Sequence, residues 1–464
     1  MAEARDMALP DLRAETVPGR VTAPVQAAGA SLHHIVIVGG GAGGLVLATK
    51  LGRRLGRNKQ VLITLIDASL THVWKPLLHE VAVGTLDSHK DDVLFLSHAK
   101  NHGFRFQQGR MDGLDRARKL VHLAPIVDAD GLEVIARRTM AYDTLVIATG
   151  GICNDFGTPG VKEHCLFLDN HQQADQVHRR LLNACLRAQL QEGPLRPGQL
   201  GVAIVGAGAT GVELAAEMHK ATRQLVAYGL DRIDPERDIK ITLIEAAPRV
   251  LPRLAERLSA ATLKELQRLG VEVRTGEQVE EVTAAAVRTR SGLTVPAELK
   301  VWSAGVKAHD WLRELDGLET NRANQLVVDT TMRTTRDPDV FAIGDCAACQ
   351  LPGQDQPLPP RAQVAYQQAM ALAQNLRRRL AGQPLEPFRY KDYGSLVSLS
   401  YSSVGTLMGN LLGDVMIEGR LARLTYQSLY KKHQLAVHGP VWVALVSLIN
   451  ILRRGTEPRL KLHL

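Results

Sequence analysis

Two glycine clusters at the ends of apolar runs carry the first chemistry these residues suggest. Ile35 to Val38 leads into Gly39-x-Gly41-x-x-Gly44, with Gly43 inside the turn, and Leu200 to Val205 leads into Gly206-Ala207-Gly208-Ala209-Thr210-Gly211. An Ala-rich segment of helical character follows each. In a strand–turn–helix unit the first glycine permits the tight turn, the second lets backbone approach a pyrophosphate, and the third lets helix and strand pack closely. Free N–H groups at the helix start attract the phosphates. A carboxylate closes the next strand in both places: Val61 to Ile66 ends at Asp67, and Ile239 to Ile244 ends at Glu245. Such an acid accepts hydrogen bonds from ribose hydroxyls, and Asp67 stands roughly 20 residues past its glycines, the spacing of that device. Glu245 also repels a 2′-phosphate, which favours NADH over NADPH. One cluster alone is a weak signal; two, each with strand, helix and acid in place, argue for two dinucleotide sites.

Three further strand ends fit that picture. Tyr142 to Ile147 runs into Ala148-Thr149-Gly150, and Val301-Trp302-Ser303-Ala304-Gly305-Val306 is a variant of it. Val340 to Ile343 closes with Gly344-Asp345. Backbone at such ends lies close to a bound cofactor, and Asp345 can hold a polyol through charge-assisted hydrogen bonds or simply cap the following helix. In Arg361-Ala-Gln-Val-Ala-Tyr-Gln367, Gln363 and Gln367 are four apart and share one face of a helix that runs to about Leu380. Spacing alone reads them as a solvated polar face.

Elements must position these groups. At 464 residues, two to three domains are expected. Residues 104–135 and 271–302 alternate apolar and charged positions and read as β-meanders. Residues 170–198 are polar and helical, with a boundary at Pro194, Pro197 and Gly198. Around Trp74-Lys75-Pro76, Pro76 breaks any helix and fixes an extended loop that feeds a helix over Leu77 to Val83. The net charge is +8, but aromatics are 4% and no basic block interleaves with them, so nucleic acid is not a partner. Five cysteines argue against a secreted disulfide framework and fit a reducing compartment. No metal-ligand cluster is read. Residues 1–32 resemble neither a signal peptide nor, with Asp6, Asp11 and Glu15, a transit peptide, and read as a flexible arm. Leu421 to Tyr430 carries an apolar stripe followed by Lys431-Lys432-His433. Val441 to Leu452 is apolar nearly all round, with Trp442 at one end and Arg453 and Arg454 after it. At about 18 Å as a helix it is too short to span ~30 Å of hydrocarbon, and it fits a helix lying in a membrane interface. A buried core or dimer helix is the alternative.

The two fingerprints, Ala148-Thr149-Gly150 and Gly344-Asp345 together resemble the two-dinucleotide-binding-domain flavoproteins of glutathione reductase-like fold, over about residues 33–390. Trp74 to Ala82, Gly211-Val-Glu-Leu-Ala215, Trp302 to Val306, Ala362 to Gln367, Ser403 to Gly409 and His438-Gly-Pro440 further resemble the type II NADH:quinone oxidoreductases, over nearly the whole chain except the arm. The resemblance implies an α/β fold of two Rossmann-like domains with a C-terminal amphipathic helical membrane-anchoring region. It implies an FAD-binding domain in two parts, 33–165 and 331–390, an NADH-binding domain at 166–330, and a membrane-association region at 391–464. It implies FAD at Gly39, Gly41, Gly43, Gly44, Asp67, Lys75, Pro76, Thr149, Gly150, Asp345 and Gln363, and NADH at Gly206, Gly208, Gly211, Glu245 and Gly305. Glu213, Gln363 and Gln367 are the implied catalytic residues: Glu213 at the nicotinamide–flavin junction, the glutamines beside a quinone head group. The implied reaction is NADH oxidation with two-electron reduction of a membrane quinone without proton pumping, by a peripheral homodimer on the cytoplasmic face of a bacterial cell membrane. Ser303 departs from the family pattern and touches no proposed role. In the disulfide reductases a cysteine pair follows the first glycine turn. No Cys lies between Gly44 and Cys153 here, and Cys346-x-x-Cys349 reads as packing. A sulfide:quinone oxidoreductase using Cys153 or Cys165 is the alternative.

Overall fold

β1 (His34–Val38) is buried from Ile35 onward, as a β-branched run with two covered faces must be. α1 (Gly44–Leu51) returns over it, with every residue but Lys50 buried. β2 (Leu62–Asp67) pairs parallel with β1, His34 opposite Leu62. These are coordinates of a computed structural model that describes residues 32–72, 74–86, 92–399, 402–409, 413–418, 439–453 and the single positions 431, 434, 435, 437 and 460. Residues 1–31 of the expected N-terminal arm, the stripe over 421–430, Lys432, His433, His438 and Arg454 lie outside the described residues.

After β2 come α2 (Leu78–Ala82), α3 (Phe95–His102), β3 (Arg105–Gln108), then β4 (Met111–Asp115), β5 (Leu120–Leu123), β6 (Arg138–Ala141) and β7 (Thr144–Ile147). The second unit follows: β8 (Leu166–Phe167), α4 (His171–Leu190), β9 (Gly201–Val205), α5 (Ala209–Ala227), β10 (Lys240–Glu245), α6 (Glu256–Arg268), β11 (Glu272–Thr275), β12 (Val279–Val282), β13 (Ala286–Thr289), β14 (Thr294–Pro296) and β15 (Leu299–Trp302). The chain then returns through β16 (Val340–Ala342) and α7 (Ala362–Leu380), and ends with β17 (Gly394–Leu399), β18 (Ser402–Gly409), β19 (Gly413–Glu418) and α8 (Pro440–Arg453).

Two five-stranded parallel sheets result, ordered β16-β7-β1-β2-β3 and β8-β15-β9-β10-β11. The fingerprint strand is central in each, and each fingerprint turn lies where strand order reverses, the switch point at which open α/β sheets bind ligands. The meanders are shorter than their sequence pattern suggested. β3 and β11 carry the same alternation but are edge strands of the parallel sheets, and β15 is an inner strand. β4–β6 and β12–β14 each form a three-stranded antiparallel sheet, and Ile126–Val127 pairs with Glu133–Ile135 as a separate antiparallel ribbon. An edge strand has one half-covered face, so it alternates like a meander strand.

Pro76 also departs from expectation. It lies in a one-turn 3-10 helix, Lys75–Leu77, where its missing N–H would have had no helical partner anyway. The C-terminal region is not wholly helical. A three-stranded antiparallel sheet, β17–β19, precedes α8. Ser395 to Leu399 reads Ser-Leu-Val-Ser-Leu, and Val397 and Leu399 are buried against α2 and α5 in the second unit's core. α2 itself belongs to that core through Leu78, Val81 and Ala82. No helix among the described residues is long and apolar enough to cross a membrane.

Candidate functional site

The two glycine turns are built alike, bond for bond. Gly39 and Gly206 stand at φ +103° and +101°, in the left-handed region. Their N–H groups donate to Ile66 and Ile244 carbonyls at 2.8 Å each. A Cβ on Gly44 would lie 1.8 Å from Gly39 O, and one on Gly211 would lie 1.9 Å from Gly206 O. Only glycine lets either helix start this close to its turn. Asp67 Oδ2 accepts from Gly40 N at 2.6 Å and Oδ1 from Ser69 N at 2.8 Å. Glu245 repeats this, accepting from Ala207 N at 2.7 Å and Ala247 N at 2.9 Å. Each carboxylate therefore braces its turn and keeps acceptor capacity for a further donor. Burial pushes the Asp67 carboxyl up, against the pull of the backbone N–H groups of Gly40, Ser69 and Ala68.

These turns fit a dinucleotide. Among the described residues, and chain neighbours aside, no atom lies within 4 Å of where a Cβ on Gly41, Gly150 or Gly208 would stand. α1 and α5 both begin without a side-chain cap and without an acid in the first turn. Uncapped N–H groups facing open space suit a pyrophosphate. Gly43 plays another part: its Cβ position is 3.2 Å from Ala365 O and from Ile343 Cδ1, so α7 packs its first turn against the first glycine turn. α7 is likewise uncapped. Gln368, buried on α7, accepts from Gly344 N at 2.7 Å and ties this helix to the Gly-Asp strand end.

A third cluster gathers the remaining strand ends. Lys75 Nζ donates to Gly151 O at 2.7 Å and lies 3.7 Å from Asp169 Oδ1. A Cβ on Gly151 would meet Val306 Cγ1 at 2.8 Å and Asp345 Cβ at 3.2 Å. Ile152 and Lys307 exchange backbone hydrogen bonds at 2.8 and 2.9 Å. Thr149, Gly150, Gly305, Asp345 and Lys75 thus converge where the chain passes between its two units, and Pro76 lies exposed beside Lys75. Burial pushes Asp345 up, and Lys75 opposes it. Asp169, which also accepts from Cys153 N at 2.8 Å, and His309, whose pKa is lowered by burial and by Lys75, join this cluster. Neither has a local sequence signal: Asp169 is far from Lys75 along the chain and sits in an unremarkable polar stretch.

Glu213 lies in different surroundings, among α2, α5 and β17. Its Oε1 accepts from Ser398 N at 3.0 Å, and its Oε2 is 3.5 Å from His79 Nδ1. Both residues are buried, at 6% and 2% exposure. Burial lowers the His79 pKa to about 4, against a hydrogen bond to the Pro76 carbonyl, so the ring is neutral at pH 7. His79 follows Lys75 by one turn, which links Glu213 to the strand-end cluster. Gln363 and Gln367 do share a face, and that face clamps the chain leading into β17. Gln363 Nε2 donates to Asp392 Oδ1 at 3.0 Å and Gly394 O at 3.3 Å. Gln367 exchanges hydrogen bonds with the Lys391 backbone at 2.8 and 3.1 Å. The amide donors of Gln363 are both engaged, while its Oε1 is left to accept.

Ser303 has a part that the sequence reading denied it. Its Oγ donates toward Val205 O at 3.0 Å and Gly206 O at 3.1 Å, bracing the second glycine turn. The thiols are poor nucleophiles. Burial pushes Cys153 and Cys165 up to about 12, and Cys346 lies buried with Sγ 3.3 Å from Ile343 O.

Comparison with known proteins agrees with this geometry. A family profile described as pyridine nucleotide-disulphide oxidoreductase matches residues 33–369. A type II NADH:quinone oxidoreductase of Haemophilus influenzae is 42% identical over 446 residues, covering 93% of this chain and 100% of the relative. One of Staphylococcus aureus is 30% identical over 391 residues, covering 81% and 90%. Among solved structures, NDH2 of Plasmodium falciparum in complex with NADH matches with a TM-score of 0.77 at 19% identity, covering 93% of this chain and 100% of that one. The sulfide:quinone oxidoreductase of Aquifex aeolicus matches with a TM-score of 0.69 at 17% identity, covering 92% and 96%. At these identities the solved structures speak for the fold.

Proposed function

The chain belongs to the type II NADH:quinone oxidoreductases, and from that membership we infer that it oxidises NADH and reduces a quinone with FAD as its bound cofactor. When bound, FAD would supply the two-electron redox chemistry between NADH and quinone, and the residues of this chain would hold and orient it. The observation that carries this reading is the pair of matched glycine turns, each with open space before an uncapped helix and a carboxylate at the next strand end.

The residue roles follow from their settings. Gly39, Gly41 and Gly44 shape the turn that admits the FAD pyrophosphate, Gly43 seats α7 against it, and Asp67 accepts from its ribose. Gly206, Gly208, Gly211 and Glu245 do the same for NADH, and Glu245 disfavours NADPH. Lys75, Pro76, Thr149, Gly150 and Asp345 line the inner part of the FAD site, with Asp345 accepting from a polyol hydroxyl. Gly305 lies where the nicotinamide end approaches. The uncapped start of α7 places a positive dipole end beside the first glycine turn. Glu213, held by Ser398 N–H and a neutral His79, orients the nicotinamide or moves a proton near it. Gln363 fixes the strand leading into β17 and offers Oε1 to a quinol hydroxyl, and Gln367 secures the same wall of the quinone site.

The electron acceptor is a membrane quinone reached from the lipid surface. α8 exposes Val441, Trp442, Leu445, Leu448 and Ile449 while burying Val443, an apolar face suited to seating at a bilayer interface on the cytoplasmic side. The same region supplies a homodimer contact. The reaction is tested by following NADH consumption by FAD-loaded protein with a short-chain quinone. Turnover with NADH and none with sulfide is expected. Turnover with sulfide and none with NADH would overturn the reading in favour of a sulfide oxidase.

A further inference from the structure

Five cations fall within ten residues at the end of α1: Lys50, Arg53, Arg54, Arg57 and Lys59. The next carboxylate along the chain is Asp67. Here the helix widens into a single π turn, Gly52–Gly56, a distortion that occurs often at functional sites. Its cause is a close approach to the end of α3. A Cβ on Gly52 would lie 2.5 Å from His102 O, and one on Gly56 would lie 1.9 Å from Gly103 O.

The patch is left without compensation among the described residues. Arg54, Arg57 and Lys59 are exposed, Lys50 and Arg53 half-buried. The charged neighbours acting on Lys50 are Arg54 and Arg53, and the one acting on Arg53 is Arg57, all of like sign. The polar partners of the guanidinium groups are neutral. Arg57 donates to Asn101 O. Arg53 donates to His102 Nε2 at 2.8 Å and to Val437 O at 3.0 Å.

The last contact ties the patch to the apolar helix. Val437 is buried in the first unit's core, and α8 begins at Pro440, three residues on. The α8 residues exposed at positions 441, 442, 445, 448 and 449 form one helical stripe. A cationic surface that meets no carboxylate among the described residues, latched to the start of an exposed apolar helix, is complementary to a bilayer that carries negative headgroups. Arg guanidinium presents a planar fork that matches phosphate.

We propose that Lys50, Arg53, Arg54, Arg57 and Lys59 form a headgroup site for anionic phospholipids, so that residues of the first unit, and not the C-terminal region alone, select the membrane. This rests on the reading of α8 as a membrane-seated helix. Arg53 is the hinge of the arrangement, joining the headgroup site to the segment that carries α8.

The test is vesicle co-sedimentation of the full-length, FAD-loaded protein. One vesicle is phosphatidylcholine alone, the other phosphatidylcholine with phosphatidylglycerol. Wild type is expected to bind the anionic vesicle more tightly, and to lose that advantage at high salt. Arg54→Gln/Arg57→Gln/Lys59→Gln is expected to weaken anionic binding on the order of 100-fold, with neutral binding and turnover of a soluble quinone unchanged. Arg274→Gln/Arg288→Gln/Arg290→Gln, on the second unit, controls for net charge and is expected to leave selectivity intact. Equal weakening by the control, or anionic binding by the first triple variant equal to wild type, overturns the headgroup site. Leu445→Asp/Leu448→Asp is expected to lose both vesicles. Wild-type binding to neither vesicle overturns the membrane reading of α8, and the headgroup site with it.

Discussion

Gly208→Ala separates cofactor recognition from folding. Gly208 caps α5 at φ −71° and ψ −176°, a conformation open to any residue. Among the described residues, and chain neighbours aside, nothing lies within 4 Å of the position its Cβ would take. The methyl group therefore enters empty space. It gives up about 0.5–1 kcal/mol of N-cap preference and recovers about 0.4–1 kcal/mol by restricting the unfolded chain, so stability is nearly unchanged. That same space is where a pyrophosphate must come to reach the uncapped N–H groups. Displacing it from one charge-assisted hydrogen bond removes about 1.5–3 kcal/mol, on the order of 10- to 150-fold in NADH affinity. The assay is KM for NADH with a saturating soluble quinone, alongside FAD content and Tm. NADH KM is expected to rise by that factor while FAD content and Tm stay at wild-type values. Gly211→Ala provides the contrast: its Cβ would lie 1.9 Å from Gly206 O and 2.8 Å from Ser303 Oγ, so Tm falls as well, by overpacking of about 1–3 kcal/mol. A Gly208→Ala protein of normal Tm and normal NADH KM would refute the placement of NADH at this turn.

Other outcomes follow from the same geometry. Gly41→Ala is expected to leave Tm of the FAD-free chain unchanged and to lower FAD retention after gel filtration. Glu245→Ala removes the ribose acceptor and the charge that repels a 2′-phosphate; the ratio of kcat/KM for NADH over NADPH is expected to fall by about 10-fold or more. His79 has a pKa of about 4 in the fold against 6.5 when unfolded. The unfolded chain therefore binds the extra proton as pH falls below 6.5, and the fold loses about 2 kcal/mol of stability between pH 7.5 and 5 from this group. Thermal melts should show the loss in wild type and a flatter profile in His79→Gln. Gln363→Ala/Gln367→Ala unclamps residues 391–394; quinone KM is expected to rise about 10-fold with the NADH half-reaction unchanged, and identical quinone kinetics would count against both roles.

Much of this site was legible because glycine and strand-end acids act locally. A left-handed turn at Gly39 or Gly206 and a carboxylate closing the following strand leave a mark within about 40 residues of sequence, and each appears in the fold where the spacing put it. The Gly150, Gly305 and Asp345 strand ends were legible for the same reason, though their convergence was not: it depends on the crossover at Ile152 and Lys307. Groups defined by long-range packing left no mark. Asp169 meets Lys75, Ser398 meets Glu213, and Gln368 holds Gly344 through contacts that no local pattern encodes. The glutamine pair shows the limit from the other side. A shared helix face was readable from the spacing, but its occupation by the Lys391–Gly394 backbone was not. β17 was missed because Ser395 to Leu399 mixes serine with apolar residues over too short a run to separate strand from loop.

The central claim is that electrons pass from NADH to quinone through FAD bound at the first glycine turn. Its most direct test is the flavin absorbance of the anaerobic holoenzyme, recorded through one addition of NADH and then one of a short-chain quinone. Bleaching by one equivalent of NADH, followed by full recovery on quinone, is the result expected. Flavin that NADH leaves oxidised, or that stays bleached in the presence of quinone, would contradict the claim.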